Sequence, residues 1–241
     1  MENADPEKTP IIIIPGIMGK WGFMKWMGDR ISRQGYPVYV IPELGYNMSS
    51  IPLSAEILDS VVVRVEPEDM PLHQHIHHSA HAVKQLVEKH DLKGAIIVAH
   101  SKGGLIGKYL LTHFNEGKRI LGMIAIASPF SGSEMAKLVP YAPFTELEEE
   151  SPVIQDLEKH HRINKKIVSI MPEYDNHVWA KEGSYLDGAL NIQVPVKGHH
   201  KVVFSNVVFD AVLHSIESIT NKAGLEEAAD TYSVAGAALS H

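Results

Sequence analysis

The chain contains no cysteine, which excludes disulfides, thiolate catalysis and cysteine-ligated zinc sites. It also has no basic block: 22 lysines and arginines stand against 29 acidic residues, a formal net charge of -7 that argues against a nucleic-acid partner. The apolar run at 11–14 is far too short for a membrane span or the apolar region of a signal peptide. We therefore expect a cytoplasmic protein without stable membrane insertion, and the sequence leaves its oligomeric state open.

What the chain does have is a regular alternation of strand-like and helix-like segments. Its 241 residues are 44% hydrophobic, which suits one domain over 1–241. Apolar runs without alternation predict buried strands at 11–14, 36–41, 94–99, 121–127, 167–171 and 191–196. Helical patterns lie between and after them, at 21–34, 72–90, 102–115 and 205–221. This order predicts an α/β fold whose sheet has about six mostly parallel strands and helices on both faces.

Three stretches are harder to assign. Residues 53–65 combine a helical beginning with three valines typical of a strand, and we assign them to a helix. Residues 130–165 are proline-rich and longer than a simple crossover. They form either a lid over the site or a surface excursion of short helices, and their acidic run at 146–150 is expected to be a solvated face. The Ala-rich end at 222–241 is either a flexible tail or a short packed helix.

A candidate nucleophile follows the apolar run at 94–99. The sequence Ala-His-Ser-Lys-Gly at 99–103 is close to the Gly-x-Ser-x-Gly turn between a strand and a helix. Small flanking residues allow the strand and helix to approach closely, which exposes the Ser101 hydroxyl and turns the first helical N–H groups toward a developing oxyanion. An ordinary turn with an incidental serine is the alternative interpretation of this pattern alone. We expect the Lys102 side chain itself to be solvated.

Two further residue types complete a candidate triad. Asp175 follows the predicted strand at 167–171, and His199 follows the one at 191–196. Acid before histidine is the chain order that a serine nucleophile on this kind of sheet requires. Because parallel strands end at the same sheet edge, we expect Asp175 and His199 to face Ser101. Glu173 remains an alternative for the acid, and His200 for the base.

Histidines are concentrated before the nucleophile strand, at His73, His75, His77, His78 and His81. On a helix, a histidine pair spaced by four residues can bind zinc or nickel. No nearby acidic residue completes such a site, and these positions lie away from the strand ends. We expect solvated helix-face histidines and assign no metal site.

Several motifs together resemble those of one known family. Ile-Pro-Gly-Ile-Met-Gly at 14–19 is similar to a His-Gly-x-x-Gly oxyanion turn, with proline where histidine is common. Four further segments match patterns of the same family. They are the serine turn at 99–104, the Pro-Phe-Ser-Gly-Ser turn within 127–133, the Asp-x-x-Val loop at 175–178, and Gly-His followed by two valines within 198–203. Over about 8–220 the chain resembles the α/β-hydrolase superfamily, and within it small bacterial lipases and esterases.

The resemblance implies a mechanism and a substrate class. Ser101 is the implied nucleophile, His199 the base and Asp175 the acid of a carboxylic ester hydrolase that needs no cofactor. Backbone N–H groups of Ile17 and Lys102 are the implied oxyanion donors. The partner would be a small-molecule or lipid ester. A thioesterase or amidase on the same fold is the alternative, and a non-catalytic binding protein is a third interpretation.

Apolar side chains near the implied site suggest an apolar substrate. Met18 and Trp21 follow the oxyanion turn, and Phe130 begins the segment interpreted as a lid. Each of them also suits ordinary core packing, but together they fit a pocket for an acyl or aryl group. We therefore name them as candidate substrate-binding residues.

Overall fold

The fold is built on one parallel sheet in this computed structural model, which describes residues 5–17, 21–41, 62–64, 76–138, 142–178 and 183–238. The strands are β1 (Ile11–Ile14), β2 (Val38–Val40), β3 (Val62–Arg64), β4 (Ala95–His100), β5 (Ile120–Ile126), β6 (Ile167–Tyr174) and β7 (Leu190–Lys197). The 7-stranded sheet has the order β3-β2-β1-β4-β5-β6-β7, and every pairing in it is parallel.

Helices cover both faces of this sheet, as the sequence predicted. They are α1 (Trp21–Arg33), α2 (Ile76–Lys89), α3 (Lys102–His113), α4 (Ala142–Thr145), α5 (Pro152–Glu158) and α6 (Asn206–Ala238). Apolar residues of α2, α3 and α5 pack on one face, and those of α1 and α6 pack on the other. Alternate isoleucines of β1 enter the two clusters, because successive side chains of a strand point to opposite faces. This explains why the central strands are apolar throughout.

The assignment of 53–65 to a helix is wrong over Val62–Arg64, which form strand β3. Val62 pairs in parallel with Val38 of β2. Two β-branched valines at an open sheet edge gain backbone hydrogen bonds there, and this outweighs the helical pattern that precedes them. The rest of the predicted helix, 53–61 and 65, lies outside the described residues.

At the C-terminal end, α6 continues well past the predicted 205–221 to Ala238. The Ala-rich composition of this end favours a helix. Flexibility of 222–241 stays a prediction. Within the part of the chain that the structure describes, no helix combines the length and apolar composition needed to cross a membrane.

The segment between β5 and β6, residues 127–166, is here called the β5–β6 connection. It contains α4, α5 and two 3-10 turns, Glu134–Leu138 and His161–Lys166. Leu147, Ile154 and Leu157 are buried in the core cluster on the α2–α3 face. The connection therefore packs directly on helix α3, which follows Ser101. A lid role for 130–165 stays a prediction.

Candidate active site

Ser101 occupies a strained position between β4 and α3. Its backbone has φ 54° and ψ -128°, a conformation that costs a residue other than glycine about 1–3 kcal/mol. Two hydrogen bonds hold the turn: the Ser101 N–H donates to the Ile126 carbonyl at 2.9 Å, and the Gly104 N–H donates to the Ser101 carbonyl at 3.0 Å. The fold therefore maintains the sharp turn that places Ser101 at the carboxyl edge of the sheet, where the residue is 6% exposed.

Two glycines allow the chain to pass close to this turn. A Cβ atom at Gly103 would lie 2.4 Å from the Ile14 carbonyl oxygen, and one at Gly16 would lie 2.8 Å from Ser101 Cβ. Any larger residue would push β1 and its following turn away from Ser101. Gly16 thus brings the turn that contains Ile17 against the serine, where a backbone N–H can serve an oxyanion.

Asp175 and His199 are directly hydrogen-bonded, with 2.8 Å between Asp175 Oδ2 and His199 Nδ1. The other carboxylate oxygen accepts the N–H groups of His177 at 2.8 Å and Val178 at 3.0 Å. Burial raises the pKa of Asp175, but the hydrogen bond to His199 and the electrostatic influence of His199, together with the two N–H groups, outweigh it and hold the pKa below its ordinary value. The carboxylate is therefore ionised and correctly oriented toward the imidazole.

The main chain of His199 is fixed from two sides. Its N–H donates to Asn176 Oδ1 at 3.0 Å. Its carbonyl lies 2.9 Å from His100 Nε2, and because a carbonyl can only accept, His100 donates this hydrogen bond. The rings of His100 and His199 lie 4.7 Å apart. Since His100 directly precedes Ser101, these contacts bring the Asp175–His199 pair next to the serine turn.

His100 is a neutral histidine within this arrangement. Burial, reinforced by the electrostatic influence of His199, lowers the pKa of His100 to about 3. Its Nδ1 atom is buried without a hydrogen-bond partner among the described residues. Sequence reasoning assigned no role to His100, Asn176 or His177, although all three lie inside the motifs that identified Ser101 and Asp175. Their position beside those residues was the available signal.

Glu173 and His200, the alternatives for the acid and the base, are both exposed. Glu173 lies 3.5 Å from Lys197 in a surface ion pair. The His200 ring packs edge-on against His199 at 5.3 Å between centroids. The geometry therefore favours Asp175 and His199 for the two positions.

Lys102 corrects two expectations. Its side chain is fully buried, not solvated, and its ammonium lies 2.9 Å from Glu146 Oε2. The same carboxylate oxygen accepts the Ile76 N–H at 3.1 Å. Glu146 was expected to belong to a solvated acidic face, but it anchors the β5–β6 connection to the beginning of α3. A buried ammonium requires a charged partner, and sequence spacing alone does not reveal one from another element.

The remaining residues that the sequence proposed for the site are an oxyanion donor and three substrate-binding side chains. Ile17 is half-buried after β1, Met18 lies outside the described residues, and Trp21 is the first residue of α1. Phe130 is 4% exposed, and it packs within the core cluster on the α3 face. Substrate-binding roles for Met18, Trp21 and Phe130 stay predictions.

Similarity to known proteins agrees with the fold. A family model described as the alpha/beta hydrolase fold matches residues 9–155. The mature form of a Bacillus licheniformis lipase superposes with a TM-score of 0.63 at 16% identity, covering 89% of this chain and 94% of that one. A monoacylglycerol lipase from Paleococcus ferrophilus gives 0.57 at 12% identity, with 91% and 96% covered. A hydrolase from Pseudomonas aeruginosa gives 0.56 at 16% identity, with 89% and 92% covered.

No curated protein sequence matches this chain significantly. At these identities the structural matches establish the fold and leave the chemistry to the site itself. The family model, however, spans more than half of the chain, from β1 through the turn at Ser101 to α5. On this match, and with a sheet order and a serine turn that agree with it, the chain belongs to the α/β-hydrolase fold family.

Proposed function

We propose that the chain is a serine hydrolase that cleaves carboxylic esters, with Ser101 as nucleophile, His199 as base and Asp175 as acid. The observation that carries this proposal is the 2.8 Å contact between Asp175 Oδ2 and His199 Nδ1. That contact occupies one imidazole nitrogen, so Nε2 is left to accept a proton. The strained serine turn supplies the hydroxyl from which the proton comes.

The reaction proceeds in two steps. Ser101 Oγ attacks the ester carbonyl while its proton passes to His199 Nε2, and the same proton then leaves with the alcohol. Water, deprotonated by His199, next attacks the acyl carbonyl; the bond to Ser101 Oγ breaks, the carboxylic acid is released and His199 returns the proton to Ser101 Oγ. Asp175 remains ionised throughout and stabilises the charged imidazole, in agreement with the lowered pKa of Asp175.

The tetrahedral oxyanion needs hydrogen-bond donors, and two backbone groups are suitable. The N–H of Lys102 belongs to the first turn of α3, where helical N–H groups lack intrahelical acceptors. The N–H of Ile17 belongs to the turn that Gly16 brings against Ser101. Each donor of this kind contributes about 3 kcal/mol to transition-state stabilisation.

Hydrolysis of p-nitrophenyl butyrate and p-nitrophenyl palmitate tests the proposal. Ser101→Ala is expected to keep the fold and lose at least about a thousandfold of the turnover. Ser215→Ala is the matched control, because that hydroxyl only donates to the Ala211 carbonyl within α6 at 2.7 Å. Equal turnover in the wild type and Ser101→Ala would remove Ser101 from the mechanism.

The two substrates and a wider panel separate the related activities. Butyrate turnover alone indicates an esterase, and strong palmitate turnover in addition indicates a lipase. Thioesters and amides in the same panel test the thioesterase and amidase alternatives.

A fluorophosphonate probe tests the nucleophile without a chosen substrate. Ser101 Oγ forms a bond to phosphorus, the P–F bond breaks, fluoride leaves and His199 takes the proton. Labelling in the wild type but not in Ser101→Ala is expected. A wild type that neither turns over the panel nor accepts the probe would favour the non-catalytic binding protein.

A further inference from the structure

A second group of potential metal ligands lies at the other end of α3. His113 is the last residue of α3, Asp156 belongs to α5, and His160 directly precedes a 3-10 turn. Because α3 has 12 residues, its length of about 18 Å separates this group from Ser101. The group is therefore distinct from the site described above.

The three side chains already converge. One potential ligand atom from each of them lies within 4.8 Å of the other two. His113 Nε2 is 2.7 Å from Asp156 Oδ2, and the imidazole rings of His113 and His160 have centroids 5.1 Å apart. Ligands of a tetrahedral zinc ion at about 2.0–2.2 Å lie roughly 3.4 Å from one another, so small side-chain rotations suffice.

The tautomer of His160 also suits a metal ligand. Its Nδ1 lies 2.9 Å from the Asp156 carbonyl oxygen, and because a carbonyl only accepts, Nδ1 carries the proton. The lone pair is therefore on Nε2. Histidines that bind metals commonly donate their other ring N–H to a backbone carbonyl or a carboxylate, which fixes the tautomer and the ring plane.

We propose that His113, Asp156 and His160 bind a divalent transition-metal ion such as Zn²⁺ and thereby link α3 to the β5–β6 connection. Two imidazole nitrogens and one carboxylate oxygen suit zinc, nickel or copper, whereas calcium and magnesium prefer sets of oxygen ligands. All three residues are partly exposed, so water completes the coordination. This proposal does not depend on the hydrolase function.

This set differs from the histidine pair that the sequence singled out. His77 and His81 lie on α2 and face aromatic rings: His77 is 5.8 Å from Tyr109, and His81 is 6.0 Å from Phe114. The sequence around the α2 histidines offers no acidic ligand. His113 has one in Asp156, which lies 43 positions further along the chain.

A binding experiment must separate this set from a second one in the candidate active site, where Asp175, His177 and His199 also converge. We would therefore use the full chain carrying His177→Gln throughout, stripped with EDTA, and titrate it with ZnCl₂ by calorimetry. In this background, binding of one equivalent is expected. Adding His113→Gln or His160→Gln should weaken binding at least tenfold.

His161→Gln is the matched control, because His161 is an exposed histidine next to His160. This substitution should leave Zn²⁺ binding unchanged. Thermal unfolding gives a second readout: Tm should rise by about 5–10 °C when free Zn²⁺ is about 100 times Kd, and only with the site intact. The proposal is overturned if the background chain binds no Zn²⁺, or if His113→Gln and His160→Gln bind as tightly as His161→Gln.

Discussion

Helix α3 meets the β5–β6 connection at both of its ends, but through two different kinds of acid–base pair. At its beginning, the Lys102 side chain is 0% exposed and faces Glu146, which is 22% exposed. At its end, His113 and Asp156 are 28% and 38% exposed. The Lys102 ammonium of the first pair is enclosed by protein, whereas both members of the second pair are open to water, although both pairs join the same two parts of the fold.

The difference in burial decides what each pair can do. Removing one partner from a buried pair leaves a charge that water cannot solvate, so neither partner can be lost alone without destabilising the fold. An exposed pair contributes little to stability because solvent replaces either partner. Lys102 lies directly after Ser101, and a fixed backbone matters there because the Lys102 N–H is a proposed oxyanion donor. His113 lies at the other end of α3, away from Ser101, where side chains open to water can take up the proposed metal ion.

The largest effect is expected from removing the Glu146 carboxylate. Glu146→Gln takes away the negative charge that faces the fully buried Lys102 ammonium. We expect the free energy of unfolding to fall by about 3 kcal/mol, measured by urea denaturation. The double variant Lys102→Met/Glu146→Gln should recover most of this loss, because the buried charge is then absent.

Glu88→Gln is the control for Glu146→Gln. Glu88 forms an exposed pair with Lys84 on α2, with side-chain exposures of 53% and 34%. Its loss should cost less than about 0.5 kcal/mol. If Glu146→Gln costs no more than Glu88→Gln, the Lys102–Glu146 pair is not an anchor of the connection.

A second test concerns the middle of α3, where Lys108 is 3% exposed. Burial lowers the pKa of Lys108 to about 8, an effect that the charge of Glu158 only partly offsets. In the unfolded chain the pKa of a lysine is about 10.4. Between pH about 8 and about 10.4, the unfolded chain therefore binds more protons than the folded chain. The Lys108 contribution to stability therefore rises with pH over that window.

Lys108→Met removes this titration while keeping much of the side-chain packing. At pH 7 the variant should be more stable than the wild type by about 1–3 kcal/mol, and the difference should shrink as the pH rises from about 8 to 10.5. Denaturation at several pH values measures it. Lys93→Met, at a lysine that is 76% exposed, should show no such trend. If the stability difference between Lys108→Met and the wild type is constant with pH, the lowered pKa of Lys108 is contradicted.

The smallest effect is expected at the exposed end of α3. Without metal, His113→Gln removes the contact with Asp156 at 2.7 Å, and the unfolding free energy should fall by no more than about 1 kcal/mol. Turnover of p-nitrophenyl butyrate should stay at the wild-type level, because Ser101 lies at the other end of the helix. A loss comparable with that of Glu146→Gln would show that both ends of α3 anchor the connection equally.

The sheet and the candidate triad were accessible from sequence because their signals are local. Apolar runs identified six of the seven strands of the sheet, and Ser101, Asp175 and His199 each lie in a short motif after a strand. Strand β3 was missed because its three residues follow a helical pattern, and pairing with β2 decided its conformation. The hydrogen bond from His100 to the His199 carbonyl was also inaccessible, since the two residues are 99 positions apart.

By itself, the sequence determined the order of strands and helices and the strand ends on which Ser101, Asp175 and His199 lie. Hydrophobic periodicity and turn chemistry act over a few residues, so they can be recognised without the fold. Only the tertiary structure decided that Lys102 is buried against Glu146, 44 positions away, and that His113 meets Asp156. The physical reason is that a charge becomes buried, or two ligands converge, only when separate elements pack together.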